Sequence, residues 1–252
     1  MNLLKLGVGN AKLGKNVAIV DLPAGHTCCQ SRDCGDKVDR LTGKLIANPH
    51  AKFRCFSAVS ELISKAARLK RWHNFDLIKK LKTKEQIAKL LINSLKANKD
   101  TNKAELVRIH TSGDFFSQMY FDAWLIVARA MPEKIFYAYT KSLKFWVARL
   151  NEIPENLHLI ASSGSKHDEL IKEFKLKTVE VVYSVEEAEK KKLEIDHDDS
   201  HCYNRRVKKF ALLIHGTQLA GSEAMKAVMK LRSEGTMGYQ RGKIGKGREV
   251  NV

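Results

Sequence analysis

Leu106-Val107-Arg108-Ile109-His110-Thr111-Ser112-Gly113-Asp114 is the stretch that decides the fold. It opens as a short apolar, partly β-branched run and ends in small polar residues and a carboxylate. A helical pattern follows, with Tyr120, Trp124, Val127 and Ala128 falling on one face. Strand, polar turn and helix in that order make a βα unit.

The unit recurs along the chain. Residues 135–140 (IFYAYT), 157–162 (LHLIAS), 178–184 (TVEVVYS) and 210–215 (FALLIH) are runs of the same kind, and residues 16–20 precede them all. Continuous apolar runs of this length suit strands buried on both faces. Helix signals stand between them. Ser165 precedes Asp168, Leu170 and Ile171; Ser184 and Glu187 make a capping box; Ser222 heads a helix with Ala224, Val228 and Leu231. Spacings of roughly 20–30 residues predict βα units on a parallel sheet. Six strand candidates favour an α/β fold of the partial (β/α)6 barrel type over a closed TIM barrel of eight strands. An open doubly wound sheet has the same periodicity.

Residues 61–98 read as a basic helical insertion of two helices, parted near residues 82–84, with an apolar stripe of Ile87, Leu90, Leu91 and Leu95. The expected organisation is one α/β domain over residues 1–237, with a cysteine loop at 21–57, followed by a basic, flexible tail at 238–252.

The chain has 252 residues, a formal net charge of +17 and 44% hydrophobic residues. That composition supports a sizeable core and argues against global disorder. The charge attracts polyanions, and nucleic acid is the expected partner. Aromatic residues are far fewer than lysines, and no base-stacking platform is evident in the sequence. No apolar run approaches the ~18–20 residues needed to cross a bilayer, so no membrane partner is expected. The first ten residues lack a secretory signal. The expected compartment is a reducing cytoplasm, where clustered cysteines bind metal or do chemistry more often than they form disulfides.

Polar residues gather where the strands end: His110 to Asp114, Tyr139 to Ser142, Ser162 to Ser165, and His215 to Gln218. Ligands of parallel α/β folds lie at those ends. Asp114, Lys141 and His215 are the candidate catalytic side chains, because turns do not require a carboxylate, an ammonium and an imidazole at successive strand ends.

Cys28 and Cys34 flank a short loop, Cys55 follows after a polar stretch, and Cys202 lies far along the chain. Converging thiolates select zinc or an iron–sulfur cluster. Adjacent Cys28 and Cys29 do not comfortably ligate one atom, so one of the two is expected to bind. Cys202 either closes a four-thiolate site with Cys34 and Cys55, or leaves an open position.

Leu22-Pro23-Ala24-Gly25-His26-Thr27-Cys28, Cys34 and Arg54-Cys55-Phe56 resemble the N-terminal cysteine motif of the phage-associated gene product eighty-eight family. Arg108 to Phe116, Phe136 to Ser142 and His215 to Gln218 resemble its later motifs. This resemblance implies a phage or prophage source, hence the cytoplasm of an infected bacterium, and favours Cys28 over Cys29. The family carries no settled activity. A looser similarity is to radical S-adenosylmethionine (SAM) enzymes, which place a cysteine loop after the first strand of a partial barrel and a Gly-Gly-Glu motif after the second. It implies a 4Fe-4S cluster, with SAM as its ligand near Ser112, Gly113 and Asp114. Ser162, at a later strand end, is grouped with these as a cofactor contact. This chain has no C-x3-C-x2-C motif. The expected function is thus an iron–sulfur phage protein with a radical-SAM-like barrel that acts on nucleic acid or a nucleotide. The alternative is a non-catalytic nucleic-acid-binding protein with a structural zinc or cluster.

Overall fold

The computed structural model describes residues 2–10 and 13–236; the basic tail expected at 238–252 lies outside the described residues. Among these, ten strands form: β1 (Gly7–Asn10), β2 (Gly14–Val20), β3 (Lys37–Val38), β4 (Leu45–Ile46), β5 (Leu106–Ile109), β6 (Ile135–Thr140), β7 (Leu157–Ser162), β8 (Thr178–Val182), β9 (Glu194–Ile195) and β10 (Lys209–Leu213). All six strands expected from the apolar runs are present, and β8 and β10 stop two residues early, where Tyr183-Ser184 and Ile214-His215 turn away.

Eight strands make one sheet in the order β1-β2-β5-β6-β7-β8-β10-β9, and β3 and β4 pair as a separate antiparallel hairpin. In the large sheet only β1 runs antiparallel to its neighbour, β2. From β2 to β10 the parallel strands lie side by side in chain order. A doubly wound sheet would reverse direction at a central switch point; this one advances steadily from β2 to β8 and turns back only at its edge, where β9 lies outside β10. Right-handed crossovers that always advance the same way put their helices on one face.

That face carries the main core. Ala18, Val20, Val107, Ile109, Phe136, Ala138, Leu159 and Ala161 pack there against Ile87, Leu91 and Leu95 of the helix Lys84–Ala97 and Tyr120, Trp124 and Val127 of the helix Gln118–Ala130. A second cluster continues along the same side, where Ala211 and Leu213 meet Ala224, Val228 and Leu231. Alternate residues of the strands point the other way. Val17, Ile19, Tyr137, Ile160, Val179 and Phe210 bury that face with Cys202. β2 and β10 do not pair, so the sheet is open and no closed TIM barrel forms.

The helical insertion begins earlier than expected. A helix at Phe56–Ile63 starts directly after Cys55, then Ser64 caps a second at Lys65–Lys79, and Thr83 caps a third. The break at residues 80–83 falls where the sequence places it.

β5 ends at His110, a non-glycine residue at φ +69. Its backbone N–H donates to Val20 O at 2.9 Å, and its Nε2 lies 3.0 Å from Tyr120 Oη. Burial, reinforced by Arg108, pushes the imidazole down to about 3 from 6.5. Its neutral form therefore stabilises the fold above pH 6.5, and that contribution is lost as the pH falls toward 3, because the unfolded chain takes a proton the folded chain refuses. Asparagine tolerates positive φ. His110→Asn should therefore flatten the acid limb of stability by about one proton, ~1.4 kcal/mol per pH unit, in urea unfolding at stepped pH.

Candidate metal centre

Three stretches of the loop between β2 and the first helix lie across the carboxyl ends of the parallel strands, and each rests on a glycine. Gly113 after β5, Gly164 after β7 and Gly216 after β10 have φ of +85, +89 and +77. A Cβ at Gly113 would stand 2.6 Å from Thr27 Oγ1, and one at Gly164 would stand 2.6 Å from Asp33 Cβ. At Gly216 it would stand 3.2 Å from Phe56 Cβ. Thr27 precedes Cys28, Asp33 precedes Cys34, and Phe56 follows Cys55. The strand ends thus seat all three cysteine segments.

Hydrogen bonds fix each one. Thr27 Oγ1 donates to Pro23 O at 2.8 Å and accepts from Asp114 N at 3.2 Å, closing the turn that presents Cys28. Arg32 N and Asp33 N both donate to Gly164 O, at 2.9 and 3.1 Å, and Asn48 Nδ2 donates to Cys34 O at 2.9 Å. Ser31 Oγ lies 3.1 Å from Cys34 Sγ. Asp36, buried, takes Asn48 N on one oxygen and Cys55 N on the other, at 2.9 and 2.8 Å. Gln218 clamps Arg54, accepting from its N at 2.7 Å and donating to its O at 3.3 Å. Cys55 is the N-cap of the helix Phe56–Ile63.

A buried charge network anchors that helix. Glu61 Oε1 accepts from Ala24 N at 2.8 Å and from Arg71 Nη1 at 3.1 Å. Asp21 accepts from Thr111 N and Ser112 N. Ser57 Oγ donates to Thr111 O at 2.8 Å. Asp21, Asp36, Asn48, Glu61 and Arg71 were not candidates in the sequence reading, and Gln218 figured there only as part of a polar cluster. The one local signal was Asp21 at the end of an apolar strand.

The cysteines are unpaired thiols; Cys34 and Cys55 lie near enough to Cys28 to disfavour its thiolate, and Cys34 does the same to Cys55. Burial first, then Asp114, Cys34 and Cys55, pushes the Cys28 thiol well up. Burial and then Cys34 push Cys55 up to about 12. Cys29 is exposed, and its shift comes from burial and Asp114 rather than from the other thiols.

Cys202 does not join them. It is buried on the face of the sheet opposite the main helical core, beside Asp196 and Asp199. The donor atoms of these three lie within 4.8 Å of one another, the one set so tight among the described His, Cys, Asp and Glu residues. Arg108 Nη1 already pairs with Asp199, and Tyr139 Oη donates to Asp199 at 3.1 Å. A guanidinium thus supplies the positive charge there.

Asp114 is buried at the centre of the strand ends. It accepts from Thr140 Oγ1 at 2.6 Å, Lys141 N at 2.8 Å and Phe115 N at 2.7 Å, and burial pushes its carboxyl up to about 6. Lys141 Nζ donates to Ser162 Oγ at 2.8 Å and to the carbonyls of Ser162 and Ser163, tying β6 to β7. Ser112 is buried, its Oγ 3.4 Å from Glu61 Oε1. His215 is half-buried, its ring 4.9 Å from that of Phe56 and so next to the Cys55 segment.

The family model described as Gene product 88 matches residues 1–233. The chain belongs to this family. Its match takes in every segment of the centre. The Gene 88 protein of Mycobacterium phage L5 is 28% identical over 132 residues, covering 51% of this chain and 55% of that protein. The Gene 88 protein of Mycobacterium phage D29 is 33% identical over 92 residues, covering 34% and 38%. The chain therefore spans about half the length of the first of these relatives and less of the second. Both come from bacteriophages, in keeping with the phage source that the family implies. No solved structure matches. These matches carry no likeness to radical SAM enzymes. Among the described residues no helix is long and apolar enough to cross a membrane.

The glycine seats make a graded prediction. Gly14, at φ +72 with nothing within 4 Å of a Cβ, should lose about 1 kcal/mol on Gly14→Ala from backbone strain alone. Gly113→Ala and Gly164→Ala add a collision and should lose roughly 2–4 kcal/mol, with Gly216→Ala between. Urea unfolding checks the order.

Proposed function

We propose that this is an iron–sulfur protein on a partial (β/α)6 barrel of the radical SAM kind, acting on a nucleic acid or nucleotide. The observation that carries the reading is the seating of the Cys28, Cys34 and Cys55 segments on Gly113, Gly164 and Gly216 at the carboxyl ends of parallel strands laid in chain order.

The donor set fits such a group. Two buried carboxylates, Asp36 and Asp114, stand beside the thiols, and Cys28 and Cys55 stay protonated first because burial disfavours each thiolate and then because neighbouring charges would repel it. A metal reverses that balance, since thiolates are its ligands. One zinc, ~2.3 Å from each sulfur, needs the sulfurs within about 4 Å of one another. An iron–sulfur cluster gives each thiolate its own iron and takes a wider set. Cys28, Cys34 and Cys55 are not all drawn within 4.8 Å of one another, a spacing too wide for one zinc held by all three. Cys28, Cys34 and Cys55 would hold the cluster, which when bound would supply one-electron chemistry to a ligand such as SAM.

The chain's own residues then have distinct tasks. Asp114 fixes the β5 and β6 ends and adds negative charge beside Cys28. Ser112 and Gly113 lay the Cys28 turn on the sheet, and Lys141 with Ser162 holds the next strand ends in place. His215, beside the Cys55 segment, is the imidazole placed to move a proton.

Anaerobic purification with iron and sulfide analysis tests this. A brown protein with about four irons per chain is expected. Cys28→Ser, Cys34→Ser and Cys55→Ser should lose the iron, while Cys202→Ser should keep it. Reconstitution should strengthen with rising pH as the thiols release protons. A colourless chain holding one zinc overturns the cluster and favours a structural site in a nucleic-acid-binding protein.

A further inference from the structure

A row of aromatic rings runs from the helical insertion to the cysteine turn. The Trp72 and Phe75 centroids are 5.8 Å apart, Phe75 and Phe116 are 5.1 Å apart, and Phe116 stacks on Tyr120 at 4.8 Å. His26, two residues before Cys28, packs edge-on to Trp72 at 4.8 Å. At the other end of the row, Cys29 Sγ lies 3.9 Å from Phe116 O. Trp72, Phe75 and Phe116 are half-buried, so each keeps some surface in water.

Cations sit on these rings. Arg40 Cζ stands 4.8 Å over Trp72, and Lys79 Nζ stands 5.7 Å from the Phe75 centroid. Both are exposed, and Arg40 is also held by Asp76. Exposed Lys80, Lys82 and Lys84 continue from Lys79 around the turn. Residues 65–84 hold eight lysines and arginines and one acid, Asp76.

We propose that Trp72, Phe75 and Phe116, with Arg40 and Lys79, form a stacking track for a single-stranded polynucleotide that leads to the cysteine centre. The inference deepens the nucleic-acid part of the proposed function and rests on it. An exposed cation over a ring is held weakly, and a base stacked on the same ring is held more strongly, so a base displaces the cation and leaves it beside a phosphate. The rings stand at steep angles to one another, 72° and 87°. Splayed rings suit unstacked bases, and a duplex hides its base faces. The sequence showed no such platform because Trp72 and Phe75 sit on a helix and Phe116 lies forty residues away.

Trp72 is the half-buried tryptophan of the three; Trp124 and Trp146 are buried. Titration of the full chain with a short oligothymidylate, followed by tryptophan fluorescence, reads the track directly. Quenching is expected, and Trp72→Phe should abolish most of it, with the binding that the phenyl ring retains read by anisotropy of labelled oligonucleotide. Phe75→Ala should weaken binding at least about fivefold. Lys79→Ala should lower the slope of log affinity against log salt by about one. The same sequence as a duplex should bind more weakly. Quenching that survives in Trp72→Phe, or Phe75→Ala binding as tightly as the parent, overturns the track while the nucleic-acid reading stands. Absence of any binding overturns both.

Discussion

The centre depends on close approach between one loop and three strand ends. Gly113, Gly164 and Gly216 each hold a positive φ and each leave no room, or little, for a side chain. A backbone that turns left-handed without a Cβ lets Thr27, Asp33 and Phe56 come down onto the sheet. The sheet in turn supplies the carbonyls and carboxylates that hold them: Gly164 O for Arg32 and Asp33, Asp21 for the β5 end, Gln218 for Arg54. Remove the approach and the three cysteines lose their common support, because the loop between β2 and the first helix has little secondary structure of its own beyond the small β3–β4 hairpin.

Two acidic–thiol groups occupy this sheet, and their electrostatics separate them. Asp196, Asp199 and Cys202 enclose the Arg108 guanidinium, so their negative charge is met by a residue of the chain. Cys28, Cys34 and Cys55 have Asp36 and Asp114 for neighbours, and no lysine or arginine is among the main influences on Cys28 or Cys55. A site whose thiols repel one another and whose carboxylates add to the repulsion is stable as neutral thiols, or as thiolates around a cation. The first cluster is complete within the protein; under the proposed function a bound cation would turn the thiols of the second into thiolates.

Much of the fold was legible because burial on both faces leaves a strong mark. β5, β6, β7, β8 and β10 are apolar enough to stand out, and their polar ends gave the carboxyl side of the sheet. β1, β9 and the β3–β4 hairpin were not legible, since two- to four-residue strands carry no period. Cys28, Cys34 and Cys55 were grouped from their nearness in the chain, and their segments rest on the ends of β5, β7 and β10. Cys202 was misplaced for the same reason that distance in sequence says nothing of which face a residue occupies. A short helix, Ser200–Tyr203, carries it to the opposite side from the helical core. Asp36 and Glu61 gave no signal, because a buried carboxylate is recognised by its partners and not by its neighbours in the chain.

The same partners revise what the net charge of +17 means. Part of that charge never meets solvent ligands. Lys134 Nζ donates to the carbonyls of Asn102 and Ala104, Lys141 to those of Ser162 and Ser163, and Lys177 to those of Cys202 and Asn204. Arg68 and Arg71 are buried against Glu61 and the helix that follows Cys55. These cations close strand ends and helix ends whose carbonyls would otherwise be buried unmet. Buried acids such as Asp21, Asp36, Glu61, Asp114, Asp196 and Asp199 outnumber the buried cations, so the exposed surface keeps its positive excess. On the insertion, exposed Lys79, Lys80, Lys82 and Lys84 stand near half-buried aromatic rings, with Lys79 over Phe75. Local charge next to π-surface discriminates unpaired bases from paired ones, whereas a uniform basic coat would attract either.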